Sequence, residues 1–455
     1  MIASDEENKK SVRQLASEIL FKVDTRKAYA DILLDRALRT AGLGERDRAL
    51  LTELTYGTLR WRGAIDARLS RSLRRPLAEI DGPTRNLLRL TCYQLLYLDR
   101  IPPYAAVNEA VELSKAFGGR KAAGFVNGVL RSFLREPRGA GQTSAEDSTP
   151  SLAVTHSHPE WLVQRWRDAF GAENAVKLMR ANNEKPPLIL RVNSLRSSQD
   201  ELLDRLQSAG VEATVASFAP QGILLPAGGV VANLPGFAEG LFQVQGEASQ
   251  LVSCLLSPQR GERILDACAA PGGKCTYIAE LMHDDGETTA IDISERGIEK
   301  IKQNMGRLGL KSVCPVRADV SEPSTDLGDP PYDRILVDAP CSGLGTLRAH
   351  PEIKWNRDEN DIRRLGRLQL KMLNQVSGYL KRDGILVYST CTLTVEENER
   401  NVEGFLADRP EFELQEAARY LPQQAKHMAR GKYFQALPHR DNTDGFFAAR
   451  MRKVG

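Results

Sequence analysis

Read by the spacing of its apolar residues, the chain falls into stretches of different period. Up to residue 135 the apolar positions recur at helical intervals only. SVRQLASEILFKV, DILLDRALRT and PTRNLLRLTCYQLLYL each present one apolar face. Pro102-Pro103 interrupts the pattern, AAVNEAVELSKAF restores it, and Gly118-Gly119 supplies a stop before GFVNGVLRSFL. Residues 1–135 are therefore expected to form an all-α bundle. From 136 to 159 the chain is small, polar and proline-bearing (EPRGAGQTSAEDSTPSLAVTHSHP), which predicts a linker or a poorly ordered connection. Residues 160–240 combine helical WLVQRWRDAF and ENAVKLMRANN with strand-like PLILRVN, VEATVAS and GILLPAG. With the capped helix start of SSQDELLDRLQSAG, they predict a small α+β segment.

Residues 241–455 read differently again. Strand patterns at 263–267, 288–293, 313–319, 332–339 and 384–390 are mostly separated by helical ones. Such alternation predicts a parallel, doubly wound sheet. Ligands of these sheets bind beyond the carboxyl ends of the strands.

Length and composition agree with several domains. The 455 residues exceed one core, and 42% apolar with 27% charged residues is ordinary for a soluble protein. No run approaches the ~18 apolar residues of a membrane span, and MIASDEENKK lacks an apolar signal region. A cytoplasmic, membrane-free protein is expected, with a monomer as the default state. The seven cysteines are an odd set with no CxxC pair and no nearby histidines, which argues against a disulfide framework and a zinc site. No metal is expected, and thiols are left free for chemistry. Net charge is only +3, but Arg60 to Arg100 holds nine arginines against four acids. That distribution suits either phosphate contact or a solvated helical surface.

The first strand of the sheet runs into DACAAPGGKCT. A Walker A loop needs glycine where Cys268 stands and serine or threonine where Cys275 stands, and the GxGxxG fingerprint is absent. The remaining strand–AxxPGG–helix pattern resembles the loop of class I S-adenosylmethionine-dependent methyltransferases. On that resemblance Cys268, Ala269, Ala270, Pro271, Gly272, Gly273 and Lys274 would hold the cofactor. Asp292 closes the second strand, where an acid would accept ribose hydroxyls. Asp319 closes the third, placed for the adenine amino group, and Asp338 the fourth, beside the methyl donor. One such aspartate is routinely a helix cap; three in succession are harder to explain that way.

Two strand ends also offer a thiol each: Cys341 in RILVDAPCSGLGT and Cys391 in ILVYSTCTLTVEENE. A cysteine beside a methyl donor suggests nucleophilic catalysis on an acceptor that is not itself nucleophilic, such as carbon 5 of a pyrimidine. Addition of a thiolate to carbon 6 turns the ring into an enamine whose carbon 5 can attack a methyl group. Asp338 could then hydrogen-bond the cytosine amino group and ring nitrogen. Cys92, Cys254 and Cys314 read as small hydrophobes, and Cys275 as packing beside the loop.

DAPCSGLGT and YSTCTLTVEENE, with DACAAPGGK and AIDISERGIEK, resemble the RNA cytosine-C5 methyltransferases of the Sun/Nol1/Nop2 family. The likeness extends through HPEIKW (350–355) to DGFFAARM (444–451). It implies Cys391 as nucleophile, Cys341 as the residue that assists product release, and Lys274 and Arg296 as the family's basic positions around the cofactor. VNEAVELSKAF and GFVNGVL resemble the NusB-like RNA-binding bundle found in bacterial small-subunit rRNA members, and residues 160–240 resemble their RRM-like insertion. The fold implied is an N-terminal all-α NusB-like bundle, a small α+β RRM-like segment and a C-terminal α/β Rossmann-like methyltransferase domain. The implied partner is 16S rRNA or an assembling small ribosomal subunit, and the implied cofactor is S-adenosylmethionine. A tRNA cytosine-C5 methyltransferase, or a non-catalytic NusB-like RNA-binding factor, are the competing readings.

Overall fold

Ser11 opens the first helix by accepting the Gln14 amide, and α1 (Val12–Arg26) follows. The computed structural model describes residues 10–136, 148–226, 230–323 and 331–455. Residues 1–9, 137–147 of the expected linker and 227–228 of GILLPAG lie outside the described residues. The chain divides into two units, one running to Glu184 and including Leu347–Asn356, the other comprising Lys185–Thr346 and Arg357–Gly455.

In the first unit α1 is joined by α2 (Ala30–Thr40), α3 (Glu45–Arg60), α4 (Arg62–Arg71), α5 (Gly82–Tyr97) and α6 (Pro103–Arg135). Their apolar faces meet in one core containing Leu20, Leu51, Leu54, Ile65, Leu88 and Leu130. Asp81 caps α5 by accepting the Thr84 amide, with Pro83 in the first turn. The Gly118-Gly119 stop appears as a break within α6, where Gly119 takes φ +61° and ψ −155°.

Two expectations change here. Thr149–Thr155, within the stretch read as linker, forms α7, capped by Ser148. The same small polar residues that signal a loop also start helices, and Ser followed by Thr-Pro is such a start. α7 leads into α8 (Glu160–Phe170) and α9 (Ala172–Asn182) in this unit. The arginine-rich stretch is also not one open basic face. Asp24 binds Arg62, Arg85 and Arg89, and Asp66 takes Arg89 at 2.7 Å. Arg60 is buried and donates to the Arg348 carbonyl. Arg71, Arg74, Arg75 and Arg100 remain exposed.

Leu347–Asn356, carrying HPEIKW, is embedded in this unit. The fully buried Lys354 ammonium donates to the carbonyls of Arg60 and Ser157 and to Asn183 Oδ1, at 2.8–3.1 Å. Burial, and then the Arg60 charge, push its pKa well down. Trp355 Nε1 donates to the Leu59 carbonyl at 2.8 Å.

The second unit begins with an antiparallel sheet of β1 (Leu188–Val192), β2 (Thr214–Val215), β3 (Gly222–Leu225) and β4 (Phe242–Val244), in the order β2-β3-β1-β4. α10 (Gln199–Ser208), started by a Ser198–Glu201 capping box, covers it through Leu202 and Leu206. After α11 (Glu247–Leu256) come β5 (Arg263–Asp266), α12 (Gly273–Leu281), β6 (Glu287–Asp292), α13 (Glu295–Leu308), β7 (Val313–Arg317), β8 (Tyr332–Asp338), α14 (Glu359–Ser377), β9 (Leu380–Thr390) and α15 (Glu399–Asp408). β9-β8-β5-β6-β7 are parallel neighbours. Their buried central segments explain the uninterrupted apolar runs ILVD and ILVYS. Four further strands follow: β10 (Phe412–Gln415), β11 (Ala429–Arg430), β12 (Tyr433–Ala436) and β13 (Phe446–Lys453). β13 lies antiparallel beside β9, with Phe447 opposite Thr390. No described helix is long and apolar enough to cross a membrane.

Candidate active site at the carboxyl edge of the sheet

Neighbouring parallel strands deliver acids to one edge. β5 ends in Asp266, β6 in Asp292 and β8 in Asp338, while Asp319 follows β7. Their charges converge on one thiol: the Cys268 pKa is pushed well up, first by burial and then by Asp266, Asp338, Asp292 and Asp319. Each expected cofactor acid already holds a local contact. Asp292 Oδ2 accepts the Ala270 amide at 3.1 Å and Oδ1 the Ser294 amide at 2.8 Å, tying strand to loop. Asp319 accepts the Ser321 amide. Asp338 takes Lys274 Nζ at 2.6 Å on one oxygen and Ser389 Oγ at 2.7 Å on the other. Burial works against the Lys274 charge, but the bonded Asp338 outweighs it and raises the ammonium pKa. Arg296 is exposed on the first turn of α13, and no ion pair among the described residues joins it to these acids.

Gly272 shows why the loop needs glycine. It sits at φ +106°, and a Cβ there would lie 3.3 Å from Ile301 Cα. Its carbonyl accepts the Thr276 hydroxyl at 2.6 Å as α12 begins. Ala269 is buried, Ala270 and Gly273 are half-buried, and Pro271 is exposed. Arg191 of β1 braces this turn from below. It is fully buried, bonds both oxygens of the buried Glu280 at 2.7 and 3.2 Å, and donates to Gly273 O, Gln245 and Thr276.

Asp266 is fully buried, and neither carboxylate oxygen meets a donor in hydrogen-bonding geometry. Burial first, and the neighbouring Asp338 charge second, raise its pKa to about 7; Lys274 and the Cys268 amide work the other way. Such a group keeps its proton in the folded chain after the unfolded chain has lost it. Its contribution to stability is therefore lost as pH rises from about 4 to about 7. Asp266→Asn removes that titration. Urea midpoints at pH 5 and pH 8 should differ less in the variant than in the wild type, and equal differences would refute the assignment.

The two thiols meet: Cys341 Sγ and Cys391 Sγ are 3.3 Å apart, and both residues are partly exposed. Cys341 has its pKa raised well above the usual range, by its hydrogen bond to Cys391 first and then by burial. Two devices bring the loops together. The Gly345 amide donates to the Cys391 carbonyl at 3.0 Å, and a Cβ on Gly345 would come within 2.9 Å of that oxygen. Glu397, fully buried, accepts the Ser342 amide at 2.8 Å, the Ser342 hydroxyl at 2.6 Å, Thr394 Oγ1 at 2.7 Å and Gln369 Nε2 at 3.0 Å. One carboxylate thus clamps the chain after Cys341 to the chain after Cys391. Sequence reading missed Glu397, Ser389 and Arg191. Glu397 stands in VEENE, which reads as a polar helix start, and nothing local distinguishes a buried acid there. The arrangement brings together Cys341, Cys391, Asp338 and Lys274; Asp292 and Asp319 lie on the adjoining strands.

Known proteins are similar to this chain along most of its length. Residues 253–452 match the model of the 16S rRNA methyltransferase RsmB/F family, residues 10–135 that of the NusB family, and residues 158–232 the ferredoxin-like domain of RsmF/B-like methyltransferases. The probable ribosomal RNA small subunit methyltransferase B of Bacillus subtilis is 40% identical, over 98% of this chain and all of its own length. The ribosomal RNA small subunit methyltransferase B of Klebsiella pneumoniae is 39% identical, over 90% of this chain and 91% of its own. NSun6 from Pyrococcus horikoshii, solved with SFG, aligns with a TM-score of 0.59 at 26% identity, over 65% of this chain and 98% of its own. With a full-length relative this similar and all three domain models in order, the chain belongs to the RsmB/F family of 16S rRNA methyltransferases.

Proposed function

We propose that the protein methylates carbon 5 of a cytosine in 16S rRNA through a covalent cysteine–cytosine adduct. The observation that carries this reading is the pair of sulfurs 3.3 Å apart beside the Asp338–Lys274 pair. Methylation of a ring nitrogen needs no thiol, whereas carbon 5 must first be made nucleophilic.

The donor set fits S-adenosylmethionine: carboxylates at the ends of adjacent strands, and a glycine turn that opens α12 with its backbone close to the edge. Gly272, Gly273 and their loop neighbours would hold it with Asp292 and Asp319; when bound it supplies an electrophilic methyl group. SFG, held by the similar NSun6, is an analogue of that cofactor, which supports the choice. Cys391 is the attacking residue. Its thiolate adds to carbon 6, forming an S–C bond and leaving an enamine whose carbon 5 is the nucleophile. Cys341, whose raised pKa keeps its proton, stands in hydrogen-bond contact with Cys391. Asp338, held on both oxygens, presents a fixed carboxylate to the base. In the release step Cys341 passes its S–H proton to the departing Cys391 sulfur 3.3 Å away and takes up the carbon 5 proton in exchange. The electron pair of that C–H bond restores the ring double bond, and the C–S pair returns to Cys391.

The test is tritiated methyl transfer from S-adenosylmethionine to naked 16S rRNA, to small-subunit particles and to total tRNA, with nucleoside analysis. Tritiated 5-methylcytosine in rRNA or particles is expected. Label in tRNA alone, or on a base nitrogen, would sink the proposal. The exposed Arg71, Arg74 and Arg75 are proposed RNA contacts of the helical unit. Reversing all three to Glu should weaken RNA binding and lower the salt slope by about 2 to 3, as three lost phosphate contacts require. Arg89→Glu should instead lower thermal stability, because Arg89 bonds Asp66 and Asp24 internally. An unchanged slope in the triple variant would remove these residues from the interface.

A further inference from the structure

We propose that Asp31, His350 and Glu352 form a divalent-metal site within the helical unit. Asp31 lies in α2, while His350 and Glu352 belong to the embedded segment Leu347–Asn356. One donor atom from each of the three lies within 4.8 Å of the other two. Glu352 is only 1% exposed, so its carboxylate has lost water on folding. One of its oxygens accepts the Ala30 amide at 3.1 Å and lies 3.7 Å from His350 Nδ1. The other has no hydrogen bond, and neither has the buried Asp31 Oδ1. Two desolvated carboxylate oxygens without donors, on residues whose ligand atoms cluster with an imidazole, are costly unless a cation joins the group.

The frame around the three is rigid. The Arg348 carbonyl is held by Arg60, and Lys354 and Trp355 are bonded to backbone carbonyls on the far side of the segment. The Ala30 amide orients Glu352 as an outer hydrogen bond orients a metal ligand. One imidazole nitrogen with two carboxylate oxygens and no thiol suits Zn2+ or Mn2+ better than Mg2+ or Ca2+. Ligands bound at ~2.1 Å span at most ~4.2 Å, so the side chains must draw in slightly from the observed spread. The absence of metal expected from the cysteine spacings does not bear on this cluster, whose donors come from separate elements. The competing occupant is a proton, with imidazolium paired to the two acids. A bound ion would fasten to α2 the same segment that continues the Cys341 loop.

Full-length protein stripped with a chelator is titrated calorimetrically with Mn2+ and with Zn2+, and its Tm is followed with and without each ion. One ion per chain and a raised Tm are expected for at least one metal. Asp31→Asn and His350→Ala should each weaken binding by tenfold or more, while Cys341→Ala and Cys391→Ala leave it unchanged. Asp31 is partly exposed, so Asp31→Asn decides the matter if His350→Ala folds poorly; the apo Tm reports folding. No binding of either ion, or binding that survives Asp31→Asn, would overturn the proposal, the first outcome favouring the protonated histidine.

Discussion

Cys391→Ala is expected to lower methyl transfer by on the order of 10⁴-fold or more, while Cys341→Ala retains attack but stalls release. The expected signature is qualitative. Incubated with an rRNA fragment and S-adenosylmethionine and run on a denaturing gel, Cys341→Ala should accumulate a covalent protein–RNA band that wild type and Cys391→Ala do not. The reason is the division of labour proposed for two sulfurs only 3.3 Å apart. One must carry the anion and bond to carbon, and the other, holding its proton, must serve the exit. A band with Cys391→Ala alone would exchange the two roles. Methylation surviving in both variants, with no band, would make the pair structural.

Arg191→Met should give the largest loss of stability, roughly 3–5 kcal/mol, because it strips a buried carboxylate of its partner. Glu280 bonds this guanidinium through both oxygens inside the second unit. Without it, Glu280 must either stay charged in a dry site or take up a proton. Burial already raises its pKa, with Arg191 acting in the opposite direction. Removing Arg191 raises it further, so the deficit should grow with pH and be smaller at pH 5 than at pH 8. The Gly273 carbonyl and Thr276 lose their donor as well, so affinity for S-adenosylmethionine should fall along with the urea midpoint. Arg191→Met combined with Glu280→Met should recover much of the stability, since an apolar pair leaves no orphaned charge. A single variant as stable as wild type at pH 8, or a deficit independent of pH, would show that this pair does not brace the turn.

Periodicity carried the sequence reading furthest where burial is set by neighbours in the chain. The runs ILVD and ILVYS are apolar without alternation because β8 and β9 are covered on both faces, and that requirement is written residue by residue. Strand ends were legible for the same reason. The change from apolar run to Asp-Ala-Pro or Ser-Thr-Cys marks where the chain leaves the sheet, so Asp338, Cys341 and Cys391 stand out from local pattern alone. Over 149–155 the linker reading failed because its signal is shared: Ser148 and Pro150 look like loop residues and serve as a helix start.

Partner choice was not legible. Nine arginines in forty-one positions look like a surface, but Asp24, thirty-six residues before Arg60, takes three of them inward. Glu397 reads as one more polar residue until Ser342, fifty-five positions away, is seen to bond it twice. The sequence by itself determined the helical character of the first 135 residues and the strand–helix alternation after residue 241, with Asp292, Asp338, Cys341 and Cys391 at or just past strand ends, because backbone geometry and one-sided burial act over a few residues. Only the tertiary structure decided that two sulfurs fifty positions apart touch and that Arg191 and Glu280 are buried together. It also decided that Asp31 faces His350 and Glu352. A charge or thiol finds its partner through space, and local pattern holds no record of that distance.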